Sequence, residues 1–214
     1  MTWDLEEFRR LCNDHGLSDT RIYLNALAAK HWRAQAFSEK AVNVWKDLFA
    51  THDEISTSDE EWSETWFLSE SYVEATLQAL HSMADILAQI INLTVLGAVY
   101  TEDEVSLTKV RNRLQQTNAA PNVTIAVQAF IHSDEFRYTN GFVNTIKHRR
   151  LLETEYRIEG GTYIEFKEGM RIKQFEYGGE VFPVKWIDEI LDVIIPRVIN
   201  GINTIGNAIN DSLR

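Results

Sequence analysis

The chain has 214 residues, 44% of them apolar and 11% aromatic, and carries a formal net charge of −11 at pH 7. That composition excludes a disordered chain and suits one globular domain with a sizeable core, while the acidic balance repels nucleic-acid backbone at long range. Cys12 is the only cysteine, which excludes an intrachain disulfide and points to a cytoplasmic setting.

The start, Met1 to Glu7, lacks the basic residues and apolar run of a signal peptide. No run of about 18 apolar residues occurs anywhere, so no membrane partner is expected. Residues 2–14 read as a short amphipathic helix with Trp3, Phe8, Leu11 and Cys12 on one side, ended by Gly16. A second helix, capped by Ser18 or Asp19, runs to about Ala50. Its apolar positions, among them Ile22, Leu24, Leu27, Ala28, Trp32 and Val42, are spaced in threes and fours.

Ser58-Asp59-Glu60-Glu61 is a capping box, and after it the spacing of Leu77, Leu80, Ala84, Leu87 and Ile91 predicts a long helix over residues 62–99, interrupted near Leu68 and Ser69. Thr101 to Glu104 is a second capping box, opening a helix through Leu114. Pro121 suits a first helical turn and starts a helix to Ile131; Ser133 begins the next. The period changes at Glu153. Gly160-Gly161 and Gly178-Gly179 read as hairpin turns and Gly169 as a separator between strands, giving an antiparallel meander of three or four strands. From Trp186 the pattern returns to helix, with one stripe from Ile187 to Leu213 that Pro196 kinks or splits. The expected fold class is α+β, predominantly α. Residues 1–152 form a helical bundle, 153–185 the β-meander and 186–214 a C-terminal helix packing on the bundle, in one domain overall.

Charge is unevenly placed. From Asp47 to Thr108 there are thirteen acidic residues and no Lys or Arg. The acidic block 53–74 reads as a solvated face or as a surface for a basic partner protein. At the other extreme, Lys147-His148-Arg149-Arg150 is a run of four basic side chains.

Two polar pairs stand out. Asn144 and His148 lie one helical turn apart beside Lys147 and Arg149, and His81 and Asp85 repeat that spacing on a more apolar helix. Residues four apart share a helix face, so two such pairs on neighbouring helices would make one polar pocket. Asp85, set among Met83, Ala84, Ile86 and Leu87, reads as partly buried and in need of a partner. In structural roles these residues would simply bond a loop or cap a helix. In a chemical role His148 would act as acid or base, Asn144 would position it, and Lys147 and Arg149 would hold phosphate, with His81 and Asp85 as further substrate-binding groups.

A polar residue, three others and then histidine on a late bundle helix resembles the HEPN superfamily, named for higher eukaryote and prokaryote nucleotide-binding domains. The resemblance implies a bacterial protein of defence or toxin–antitoxin systems, a homodimer, and RNA or a nucleotide as ligand. Asn144 and His148 match the family's asparagine and histidine, but its signature arginine falls on Val143, so the resemblance implies binding more than metal-independent cleavage. Two alternatives come from other classes. His81, Asp85, His132 and His148 are types that bind divalent metals, as in metal-dependent bundles of the DinB type; with no His-x-x-x-His or Glu-x-x-His pair, no metal or cofactor is expected. The isoleucine-rich C-terminal stripe would serve a non-enzymatic, homo-oligomeric interaction protein.

Overall fold

Asp4 starts the first helix: its carboxylate accepts the Glu7 N–H at 2.9 Å, and helix α1 spans Leu5–Asp14. Trp3 therefore precedes the helix, yet it is buried together with Phe8, Leu11 and Cys12. The computed structural model describes residues 2–51, 60–148, 151–161 and 164–214. Ser58 and Asp59 of the expected capping box, Tyr163, Arg149 and Arg150 lie outside the described residues. The further helices are α2 (Thr20–Thr51), α3 (Glu60–Thr94), α4 (Leu107–Thr117), α5 (Pro121–His132) and α6 (Asp134–His148). Five strands follow: β1 (Thr154–Gly161), β2 (Ile164–Ile172), β3 (Phe175–Tyr177), β4 (Glu180–Phe182) and β5 (Lys185–Trp186). Helix α7 (Ile187–Glu189), a π-turn at Ile190–Ile194 and α8 (Ile195–Leu213) complete an α+β fold that is predominantly α. Among the described residues no helix is long and apolar enough to cross a membrane.

Several local expectations shift. Helix α3 continues through Leu68 and Ser69 without interruption and ends at Thr94, short of residue 99. The Thr101 box forms, with the Thr101 N–H donating to Glu104 Oε2 at 3.2 Å, but it opens a 3₁₀ turn. The helix proper starts only at Leu107, where the Ser106 hydroxyl accepts the Lys109 N–H. On α2 the buried residues include Leu24, Leu27, Ala34 and Ala41, whereas Ile22 and Trp32 are each 70% exposed. An apolar stripe wider than the contact it serves leaves its margins in solvent.

The chain forms two compact units. The first comprises Met1–Trp32, Ala79–Arg137 and Pro196–Arg214, the second Arg33–Gln78 and Tyr138–Ile195. The strands belong to the second. There β1 and β2 pair antiparallel from Thr154↔Ile172 to Gly161↔Ile164, so Gly160 and Gly161 lie within β1 instead of forming the turn. Gly169 lies inside β2 opposite Arg157 and separates nothing. Gly178 and Gly179, with φ of 64° and 82°, supply the left-handed turn that joins β3 to β4. That hairpin stands as a ladder of its own, and β5 returns to pair with β2, giving the order β1-β2-β5.

Pro196 acts as its chemistry demands. It has no N–H to donate to the carbonyl four residues earlier, and its ring crowds that carbonyl. The preceding turn widens instead of breaking: the Ile195 N–H donates to the Ile190 carbonyl, five residues back. The predicted stripe is buried throughout, from Ile187, Ile190, Leu191 and Ile194 to Val198, Ile202, Ile205, Ile209 and Leu213.

In the first unit, α8 presents two glycines to aromatic rings. A Cβ on Gly201 would lie 2.4 Å from the Phe130 ring, and one on Gly206 2.0 Å from the indole of Trp3. Beside that contact the Trp3 indole N–H donates to Asn210 Oδ1 at 3.2 Å, and the Asn210 amide donates to the Asp4 carbonyl at 2.9 Å. Arg214 adds an ion pair to Glu7, and Arg10 with Arg214 holds that carboxyl down at about 2. Gly206→Ala should therefore cost about 1–3 kcal/mol by overpacking, more than the roughly 1 kcal/mol that alanine gains in helix propensity. Thermal denaturation should show the melting temperature falling by roughly 2–4 °C per kcal/mol lost.

Candidate functional site

Helix α6 begins where Ser133 ends α5: its hydroxyl accepts the Phe136 N–H at 3.3 Å, and Asp134 and Glu135 occupy the first turn. Lys147 and His148 occupy the last, so both ends carry the charge that suits the helix dipole. Between them the helix buries one face in the second unit. Tyr138, Phe142 and Val143 are buried there, and Gly141 lies so close to Phe182 that a Cβ would come within 2.6 Å of its ring. Phe175 and Phe182 stack at 4.9 Å, and Tyr138 meets both rings edge-on.

Val143 is wholly buried, with 0% exposure. The position where the expected resemblance would call for arginine thus faces the apolar core of this unit, where an unpaired guanidinium would be severely destabilising.

The Asn144–His148 pair does not form as a working pair. Asn144 is half-buried, and its amide donates to the Asn140 carbonyl at 2.8 Å and to Asn140 Oδ1 at 3.0 Å. Side chains on a helix lean toward its N-terminus, so the partner one turn back is met before the one ahead. Asn144 is therefore spent on its own helix and does not orient His148. Lys147 and His148 are exposed, while Arg149 lies outside the described residues.

His81 and Asp85 belong to the first unit, and Asn144, Lys147 and His148 to the second. His81 Nδ1 stands 3.5 Å from Asp85 Oδ2, a long contact, with the histidine side chain 13% and the aspartate 62% exposed. Asp85 is accordingly a solvated carboxylate and needs no buried partner. Leu80, Met83, Ala84 and Leu87 take the inner face of α3, and Asp85 lies beyond its edge. His132 is also exposed, and among the described residues no three His, Cys, Asp or Glu side chains converge as a metal site would require.

A different carboxylate has the unusual environment. Glu70 on α3 lines a cavity of about 20 Å³, room for one water, with Phe142, Ile146, Leu152 and Thr154. The Trp66 indole N–H donates to the Thr154 hydroxyl at 2.9 Å, and that hydroxyl lies 3.5 Å from Glu70 Oε1. Burial raises the Glu70 carboxyl above its ordinary range and Glu74 adds to the effect, while Thr154 opposes it. Nothing in the sequence singles out Glu70: it stands in a run of carboxylates that all read as solvated, and its partner is 84 positions away.

No family model matches the chain, and no curated protein or solved structure matches it either.

Two outcomes follow from this geometry. A carboxyl raised by folding favours the native state below its unfolded value and loses that contribution as pH rises through the folded value. Glu70→Gln should therefore raise the melting temperature at pH 7–8, with the difference from wild type vanishing near pH 4, as thermal scans across pH would record. His148→Ala, at an exposed site, should change stability by no more than about 0.5 kcal/mol in denaturant unfolding.

Proposed function

We propose that this chain is a HEPN-like bacterial protein, of the kind found in defence or toxin–antitoxin systems, which binds single-stranded RNA or a nucleotide through phosphate contacts at the end of α6. The observation that carries the reading is the exposure of Lys147 and His148 in the last turn of that helix, directly before Arg149 and Arg150 in the chain. In an acidic protein this is the one place where four basic side chains follow one another. Phosphate affinity comes from such cations through release of counterions, and the long-range repulsion from a charge of −11 makes binding depend on low salt.

Binding is favoured over cleavage on two grounds. Metal-independent phosphodiester cleavage needs an oriented acid or base and a cation at the reacting oxygens. Here Asn144 is engaged by Asn140 and the signature position holds core-facing Val143. A homodimer that sets two such helix ends side by side belongs to the same proposal.

Fluorescence anisotropy with a labelled single-stranded oligoribonucleotide tests it. The logarithm of affinity should fall with the logarithm of salt at a slope of about −2, as expected for three phosphate contacts on a single strand. Changing Lys147, Arg149 and Arg150 together to alanine should flatten that slope to near zero. Affinity and slope that survive the triple change would refute the reading, and light scattering that reports a monomer at micromolar concentration would remove the dimer.

A further inference from the structure

In the first unit, α1 and the beginning of α2 enclose a pocket of about 400 Å³ that none of the polar pairs on α3 and α6 touches. Its floor is apolar: Phe8, Cys12 and Leu24 are buried at 0%, 4% and 1% exposure. Burial pushes the Cys12 thiol up, so this cysteine belongs to the floor as a small apolar group and not as a nucleophile. The rim is made of donors: the guanidiniums of Arg9 and Arg21, the carboxamides of Asn13 and Asn25, and the hydroxyl of Ser18.

The charge at this rim is unbalanced. Arg10, the next residue to Arg9, is clasped by Glu7 at 2.9 Å and by Asp14 at 2.8 Å. Among the described residues no carboxylate engages Arg9 or Arg21. The pocket's own lining holds no carboxylate; Asp19 and Glu102 line an adjoining depression that shares Ser18, Arg21 and Asn25 with it. An exposed arginine is ordinarily just solvated. Two from different helices, lining with two asparagines one apolar-floored pocket in a protein of charge −11, suit an anion.

The stoichiometry of charge and donors selects the anion. A carboxylate has two oxygens and is satisfied by a single bidentate guanidinium. Two guanidiniums and three neutral polar groups match the doubly charged, three-oxygen terminus of a phosphate monoester. The floor then calls for a small apolar or aromatic body. We propose that the pocket between α1 and α2 binds a small organic phosphate monoester, with Arg9 and Arg21 on the phosphate and the organic group against Phe8 and Leu24. This site shares no residue with the end of α6, so it stands or falls independently of the RNA reading.

Isothermal titration of the full chain with phenyl phosphate tests it, with benzoate and inorganic phosphate as comparators. One molecule of phenyl phosphate should bind per chain, more tightly than either comparator. Arg9→Ala and Arg21→Ala should each weaken binding about tenfold or more, the loss of one charged hydrogen-bonding group. Melting temperatures of the unliganded variants should match wild type, because both side chains are exposed. Absence of binding at millimolar phenyl phosphate, affinity that survives both arginine changes, or equal affinity for benzoate would each overturn the proposal.

Discussion

One face of α6 has to be dry, and that requirement decides what its other faces can do. Tyr138, Phe142 and Val143 are committed to an aromatic core that includes Phe175 and Phe182, and Gly141 lets the helix approach the Phe182 ring. At a helical period the polar residues are left with the flank and the far side. Asn144 sits on the flank, half-buried, where an amide must find partners, and it finds them one turn back. Lys147 and His148 emerge in the last turn, where the helix dipole favours positive charge. The chemistry open to this helix is thus electrostatic attraction at its end.

In the first unit the comparable constraint is the Trp3 indole. It is nearly buried, so its N–H needs an acceptor, and Asn210 on α8 provides one while its own amide donates to the Asp4 carbonyl. The ring can occupy that place only because residue 206 has no side chain. His15 Nε2 at 2.7 Å from the Leu213 carbonyl and Arg214 on Glu7 continue the same seam between α1 and α8. Small residues and polar side chains, rather than bulk, thus define where α8 meets the N-terminal segment.

The helical elements were legible because their signals are local. The cap at Ser133, Pro121 at a first turn and the isoleucine stripe on either side of Pro196 each act within a few residues, and each acts as the sequence implies. The change from helix to strand at Glu153 was legible for the same reason, but the fifth strand and its pairing with β2 were not, since no local rule states which distant edge a two-residue strand will join. Ile22 and Trp32 were misplaced because periodicity reports the direction of an apolar face and not its width. Asn140 lies as far before Asn144 as His148 lies after it, so spacing alone could not choose between them; the lean of helical side chains does. Glu70 and the Arg9–Arg21 pocket depend on neighbours brought together by the fold, which a linear pattern does not contain.

The seam between Trp3 and Asn210 also bears on how the protein is made. These partners are 207 positions apart, and the unit they close takes residues from the first 32 and from Pro196 onward. A ribosome delivers the chain from its N-terminus at about 5–20 residues per second. For much of synthesis the apolar face of α1, with Phe8, Leu11 and Cys12, has no α8 to meet, whereas every residue of the other unit has been added before Pro196. Of the two units, the one whose first residues emerge earlier is therefore the later to be completed.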